Sequence, residues 1–127
     1  MKTPKQILMA GAVLTGMGVV IGAFGAHALE GILEENGRTA TFETGVKFQF
    51  YHGLGLLLLG VIAERRAHPW VRGAAVWLLI GTLIFSISLY ILSLTNIGWL
   101  GAITPFGGTS MIIGWAMLTI GLWRSGN

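Results

Sequence analysis

From Ile7 to Leu29 the chain runs for 23 residues without a formal charge. At about 1.5 Å per residue, a helix of that length covers a hydrocarbon core of roughly 30 Å, where every backbone polar group must be satisfied within the protein. Three more apolar stretches follow, so the expected spans lie at about 7–29, 41–64, 71–95 and 106–123. Counted only from Phe48 to Ala63 the second is short, and its helix is expected to begin near Thr39 or Thr41, either of which can cap an N-terminus. Charged residues make up 10% of the chain, against roughly 25% in a soluble domain, too few to cover a water-facing surface. The expectation is an all-α fold: one domain over residues 1–127, an integral membrane four-helix transmembrane bundle.

Lys and Arg set the expected orientation, because short loops rich in them stay in the cytoplasm. Lys2, Lys5, Arg65, Arg66, Arg72 and Arg124 share one side, and only Arg38 and Lys47 lie on the other, which predicts both termini inside (N-in/C-in). Ala26-His27-Ala28 after an apolar run has the outline of a signal-peptide cleavage site. That run is longer than the usual apolar region of about 7–15 residues and carries glycine at helical spacing, so the segment is expected to be retained as a span.

Several function classes find no support. The eight Lys and Arg are scattered over short segments rather than gathered in a patch, which argues against a nucleic-acid partner. The chain has no cysteine, hence no disulfide or thiolate chemistry. It has no G-x-S-x-G, no H-E-x-x-H and no paired intramembrane carboxylates, so no catalytic residue, metal site or cofactor is expected. The polar loop after the first span places Leu29, Ile32 and Leu33 at helical spacing and then Asn36-Gly37 as a stop, which predicts a short interfacial helix.

Gly11, Thr15, Gly18, Gly22 and Gly25 recur at steps of four, three, four and three and share one face of the first span. Such a face lets another backbone approach closely. It serves either a homo-oligomer or packing within the chain, and with three further spans at hand the second use takes precedence. Thr82, Ser86, Tyr90 and Ser93 form a polar stripe on the third span, whose hydroxyls can bond helix carbonyls or neighbouring helices.

Certain runs carry a resemblance. Gly22-Ala23-Phe24-Gly25-Ala26-His27-Ala28-Leu29, Tyr51-His52 with Leu54, Phe85-Ser86 with Ser88-Leu89-Tyr90, and Leu100-Gly101-Ala102-Ile103-Thr104-Pro105-Phe106-Gly107-Gly108 with Gly114-Trp115 stand in an order that resembles the YgdD/YwdK family. These are small bacterial inner-membrane proteins grouped as domain of unknown function 423, with a eukaryotic relative called transmembrane protein 256. The resemblance implies a four-span fold in the bacterial cytoplasmic (inner) membrane and brings no activity, substrate or cofactor with it. Asn96 departs from the glycine expected after Leu94-Thr95; Asn also tolerates the left-handed conformation that helix ends often use.

Counted at about 1.5 Å per residue along upright spans, His27, Glu43, Tyr90 and Thr104 lie roughly 28–31 Å from the inner surface, Gln49 and Ser86 roughly 22 Å and His52 roughly 18 Å. An ionisable residue inside a span is a candidate functional residue by default. The expected site is an outer-leaflet pocket in which His27, Tyr90 and Thr104 meet, Glu43 forms the rim and Gln49, Ser86 and His52 lie below. Thr104-Pro105 with Gly107-Gly108 is expected to unwind or kink the start of the fourth span beside it, which irregular backbone can do only where protein or a wet cavity surrounds it. Against this stand plainer readings: His27 simply reaching water or Glu43, and His52 acting as a buried structural polar group. The favoured role is a non-enzymatic binding or scaffold protein for a lipid, a small ligand or a membrane partner's helix. A small oligomeric transporter or channel, proton-linked through His52, is the alternative.

Overall fold

The computed structural model describes residues 1–125. Five α-helices and one 3₁₀ turn account for nearly all of them: α1 (Pro4–Ala26), α2 (Glu30–Asn36), α3 (Thr39–Arg65), α4 (Pro69–Thr95), the turn Gly98–Ala102, and α5 (Thr104–Arg124). α1, α3 and α4, together with the stretch from Gly98 through α5, are each long and apolar enough to cross a membrane. The protein is an all-α transmembrane bundle with four spans.

Local chemistry explains most boundaries. Thr3 and Gln6 form a reciprocal capping box ahead of Pro4, which needs no amide partner in the first turn. The imidazole of His68 accepts the Trp70 amide and caps α4, again with proline at its first position. Gly37 and Asn96 both adopt left-handed backbone, with φ of 64° and 55°, and stop α2 and α4. α3 starts at Thr39, but its cap is Arg38, which makes no side-chain capping bond, so neither Thr39 nor Thr41 serves as the expected cap. The irregular backbone expected at Thr104-Pro105 lies earlier, in the 3₁₀ turn. Pro105 sits in the first turn of a regular α5, where proline fits, and Gly107 and Gly108 continue that helix.

The extensive interfaces join α1 to α3, α3 to α4 and α4 to α5. α1 and α5 are therefore the outer members of a row: they bury four and six residues, against ten on α3 and eleven on α4. Lipid is as apolar as a leucine side chain, so close backbone approach is what holds these helices together. A Cβ at Gly11 would lie 2.7 Å from the Leu57 amide nitrogen, at Gly18 3.2 Å from the Phe50 ring and at Gly22 3.4 Å from Val46, and at Gly25 it would overlap the Phe42 ring. The stripe on α1 thus faces α3 of the same chain. α5 repeats the device on α4, with Gly107, Gly114 and Gly121 seven residues apart against Phe85, Leu78 and Trp70.

The α2 end is clamped to α4. The Asn36 amide donates to the carbonyls of Ser93 and Leu94 at 3.0 and 3.3 Å, and Arg38 Nε donates to Asn96 Oδ1 at 3.0 Å. Asn36 therefore satisfies two carbonyls that the end of α4 leaves without helical partners. At the opposite end, Arg66 Nη1 donates to Ser125 Oγ at 3.1 Å, joining the α3–α4 connection to the end of α5.

Candidate functional site

Midway along α3, Gln49 is 4% exposed and both ends of its amide are used. Nε2 donates to the Leu14 carbonyl of α1 at 2.9 Å, and Oε1 accepts the Tyr90 hydroxyl of α4 at 2.6 Å. Ser86 donates to the Gly45 carbonyl at 2.7 Å, and the Tyr90 ring packs 5.2 Å from Phe42. One turn from Gln49, His52 Nδ1 lies 2.8 Å from the Phe48 carbonyl, and Trp115 Nε1 of α5 lies 3.1 Å from His52 Nε2. An indole N–H only donates, so Nε2 is the acceptor and Nδ1 carries the hydrogen: this geometry requires the neutral ring. Gln49 and His52 thereby tie α3 to all three other spans.

The residues expected in one pocket are divided among five places. Gln49, Ser86 and Tyr90 line, with Thr82, a largely apolar groove of about 240 Å³ between α1 and α4. His52 belongs to the Trp115 contact. Thr104 pairs with Ser88 at 2.7 Å, at the 3₁₀ turn, with Pro105 next to it in the first turn of α5. His27 is exposed, Tyr90 bonds Gln49 and Thr104 bonds Ser88, so among the described residues the expected cluster of His27, Tyr90 and Thr104 is not formed. Equal depth does not bring these three side chains together. Ser88 and Tyr90 are two residues apart, about 200° around a helix, so Thr104 and Tyr90 lie on different sides of α4.

Glu43 belongs to a larger cavity of about 400 Å³ where α1, α2 and α3 meet. Its apolar wall is Gly22, Gly25, Leu33, Phe42 and Val46, and its polar side is Glu30, Glu34, Glu43, Thr39 and Lys47. The small α1 residues make room: between Gly22 and Val46 a methyl group would be in ordinary contact, and more would fill the space. α2 closes the third side through Leu33, which is 2% exposed, while Glu30 and Glu34, one turn apart, share the cavity side. Glu30, Glu34, Phe42 and Lys47 lie outside the expected site, although the i, i+4 spacing of the two acids signals that they share one face of α2. Among the described residues no three His, Asp or Glu side chains gather as a metal ion would require.

Four apolar spans, a helical clamp at one end and a half-polar cavity beside it define an integral membrane protein of the small multi-span class. The pattern described as Protein of unknown function (DUF423) matches residues 21–108. The chain belongs to this family. Over 120 residues it is 47% identical to UPF0382 membrane protein SH2409 of Staphylococcus haemolyticus, covering 94% of this chain and 97% of that one. It is 41% identical to UPF0382 membrane protein YwdK of Bacillus subtilis (91% and 94% covered) and 36% identical to UPF0382 inner membrane protein YgdD of Escherichia coli (96% and 92%). No solved structure matches significantly.

Proposed function

We propose that this protein is a non-enzymatic ligand-binding protein of the bacterial inner membrane, and that its site is the cavity between α1, α2 and α3. The observation that carries the reading is the division of that cavity: Phe42, Val46, Gly22 and Gly25 offer apolar surface, and Glu30, Glu34 and Glu43, three acids against the single cation Lys47, stand with Thr39 on its polar side. A ligand matching both is amphipathic, with a headgroup that donates hydrogen bonds or carries positive charge, as an ammonium lipid does. The distribution of Lys and Arg supports an N-in/C-in orientation, which opens this cavity to the outer leaflet.

Transport finds less support. Gln49, His52, Ser86 and Tyr90 spend their polar atoms on partners within the chain, and among the described residues no buried side-chain polar atom lacks a hydrogen bond.

Native mass spectrometry of the full chain with added phosphatidylethanolamine or phosphatidylcholine tests the binding role. The ethanolamine lipid is expected to be retained preferentially, and Val46→Trp, which fills the cavity, to abolish that retention. Unchanged retention in Val46→Trp would remove the cavity from consideration.

A further inference from the structure

The end at which α1 starts and α5 finishes has a charge opposite to that of the α2 end. Lys2, Lys5, Arg65, Arg66, Arg72 and Arg124 stand there with Glu64 as the one acid, whereas the α2 end sets Arg38 and Lys47 against Glu30, Glu34, Glu35 and Glu43. Two of these cations are fixed in a single corner. Arg66 Nη1 is tied to Ser125 Oγ at 3.1 Å, and Ser125 Oγ donates back to the Leu122 carbonyl at 3.1 Å, so this guanidinium is referred to the end of α5. One residue earlier, the Arg124 guanidinium carbon lies 5.4 Å from the centroid of the Trp70 ring. Trp70 is itself held: it lies in the first turn of α4 directly against Gly121, where a Cβ would come within 2.9 Å of the Trp70 Cβ. The ends of α3, α4 and α5 thus build the corner.

A guanidinium presents five N–H donors in a planar fork that matches phosphate, and contact with a ring face leaves those of Arg124 available to a ligand. The surface running from this corner toward the other end is apolar. Trp77 and Ile80 follow Trp70 on the same face of α4 and are 42% and 48% exposed, with Met117 of α5 against Gly73 between them. Phosphate-binding cations at one end of an exposed apolar strip call for a molecule with an anionic head and a hydrocarbon tail.

We propose that the corner formed by Arg66, Trp70 and Arg124 docks the headgroup of an anionic phospholipid, with an acyl chain lying along Trp77 and Ile80. Charge complementarity selects the headgroup, and the strip selects a lipid over free phosphate. This site is at the opposite end from the cavity of the proposed function and does not depend on it.

The test is native mass spectrometry of the full chain in mild detergent with dioleoyl-phosphatidylglycerol or dioleoyl-phosphatidylcholine added. The glycerol lipid is expected to be retained at about tenfold lower concentration, a preference on the scale of one or two interfacial cations. R66Q/R124Q is expected to abolish the preference. K2Q/K5Q removes equal charge from the same end and is expected to keep it. Equal retention of the two lipids by the unmodified chain overturns the proposal. So does an equal loss in K2Q/K5Q, which would mean a diffuse field in place of a site. Should R66Q/R124Q fail to fold, R124Q alone carries the test, and an undiminished preference in that variant is equally fatal. Inorganic phosphate is expected not to compete; displacement of the lipid by it would show a free-phosphate site and sink the lipid assignment.

Discussion

Tyr90 donates its phenolic hydrogen to Gln49 Oε1 at 2.6 Å while Gln49 Nε2 donates to the Leu14 carbonyl at 2.9 Å, so one amide on α3 links the helices on either side of it. In a membrane interior such bonds contribute about 0.6–2 kcal/mol each. Tyr90→Phe and Gln49→Leu are each expected to destabilise the bundle by about 1 kcal/mol or more, and the double variant by less than their sum. Unfolding in mixed micelles measures this. Strict additivity would mean that the two side chains do not share a bond.

His52 reads as a structural acceptor with the hydrogen on Nδ1. Nitrogen NMR of the labelled imidazole is expected to show a protonated Nδ1 and an unprotonated Nε2 at neutral pH, with Trp115→Phe shifting the Nε2 resonance toward its unbonded position. A ring protonated on Nε2 would contradict the Trp115 contact.

Two glycines provide a matched contrast. A Cβ at Gly107 would meet the Phe85 amide nitrogen at 2.5 Å and the Gly81 carbonyl at 2.7 Å, and backbone cannot turn aside as a side chain can. Gly16 has nothing within 4 Å. Gly107→Ala is therefore expected to cost about 1–3 kcal/mol, and Gly16→Ala to stay within about 1 kcal/mol of the unmodified chain or gain from helix propensity. Thermal denaturation in detergent decides, and similar melting points for the two variants would refute the α4–α5 seam.

The clamp at the α2 end separates a capping role from a surface contact. Asn36→Ala leaves the Ser93 and Leu94 carbonyls without their side-chain donor and is expected to cost about 1–2 kcal/mol. Asn96→Gly keeps the left-handed stop and removes only the exposed bond to Arg38, so its melting point is expected to be nearly unchanged.

Orientation can be read by labelling single cysteines, since the natural chain has none. Glu35→Cys and Ala67→Cys occupy exposed positions at opposite ends that take no part in capping. A membrane-impermeant maleimide added to intact cells is expected to reach the first and not the second. The reverse pattern would invert the bundle.

The spans were legible because a 23-residue uncharged run admits few other structures, and α2 and the Asn96 stop were legible because each rests on local chemistry. The site was legible only along the membrane normal. Counting residues gives depth and leaves the angle around each helix undetermined, which is why Thr104 was grouped with Tyr90 when its partner is Ser88. The pairing of His52 with Trp115 rests on chemistry that the sequence does carry: an indole N–H within a membrane span needs an acceptor, and an imidazole offers one. The acids of the cavity were visible as charges and not as a wall, because only the packing of Leu33 reveals which way α2 faces.

The row of spans also bears on biogenesis. α3 finds its partner in α1, α4 in α3 and α5 in α4, so each span leaving the insertion machinery meets as its packing surface the span delivered just before it. A few polar contacts wait for a later arrival: Asn36 of α2 for the last turn of α4, His52 of α3 for Trp115 of α5, and Arg66 for Ser125. Contacts this close in sequence close small loops and favour rapid, stepwise assembly. A nascent chain arrested after Arg66 already contains both halves of the first glycine seam, and would be a two-span hairpin able to persist until the rest of the protein is made.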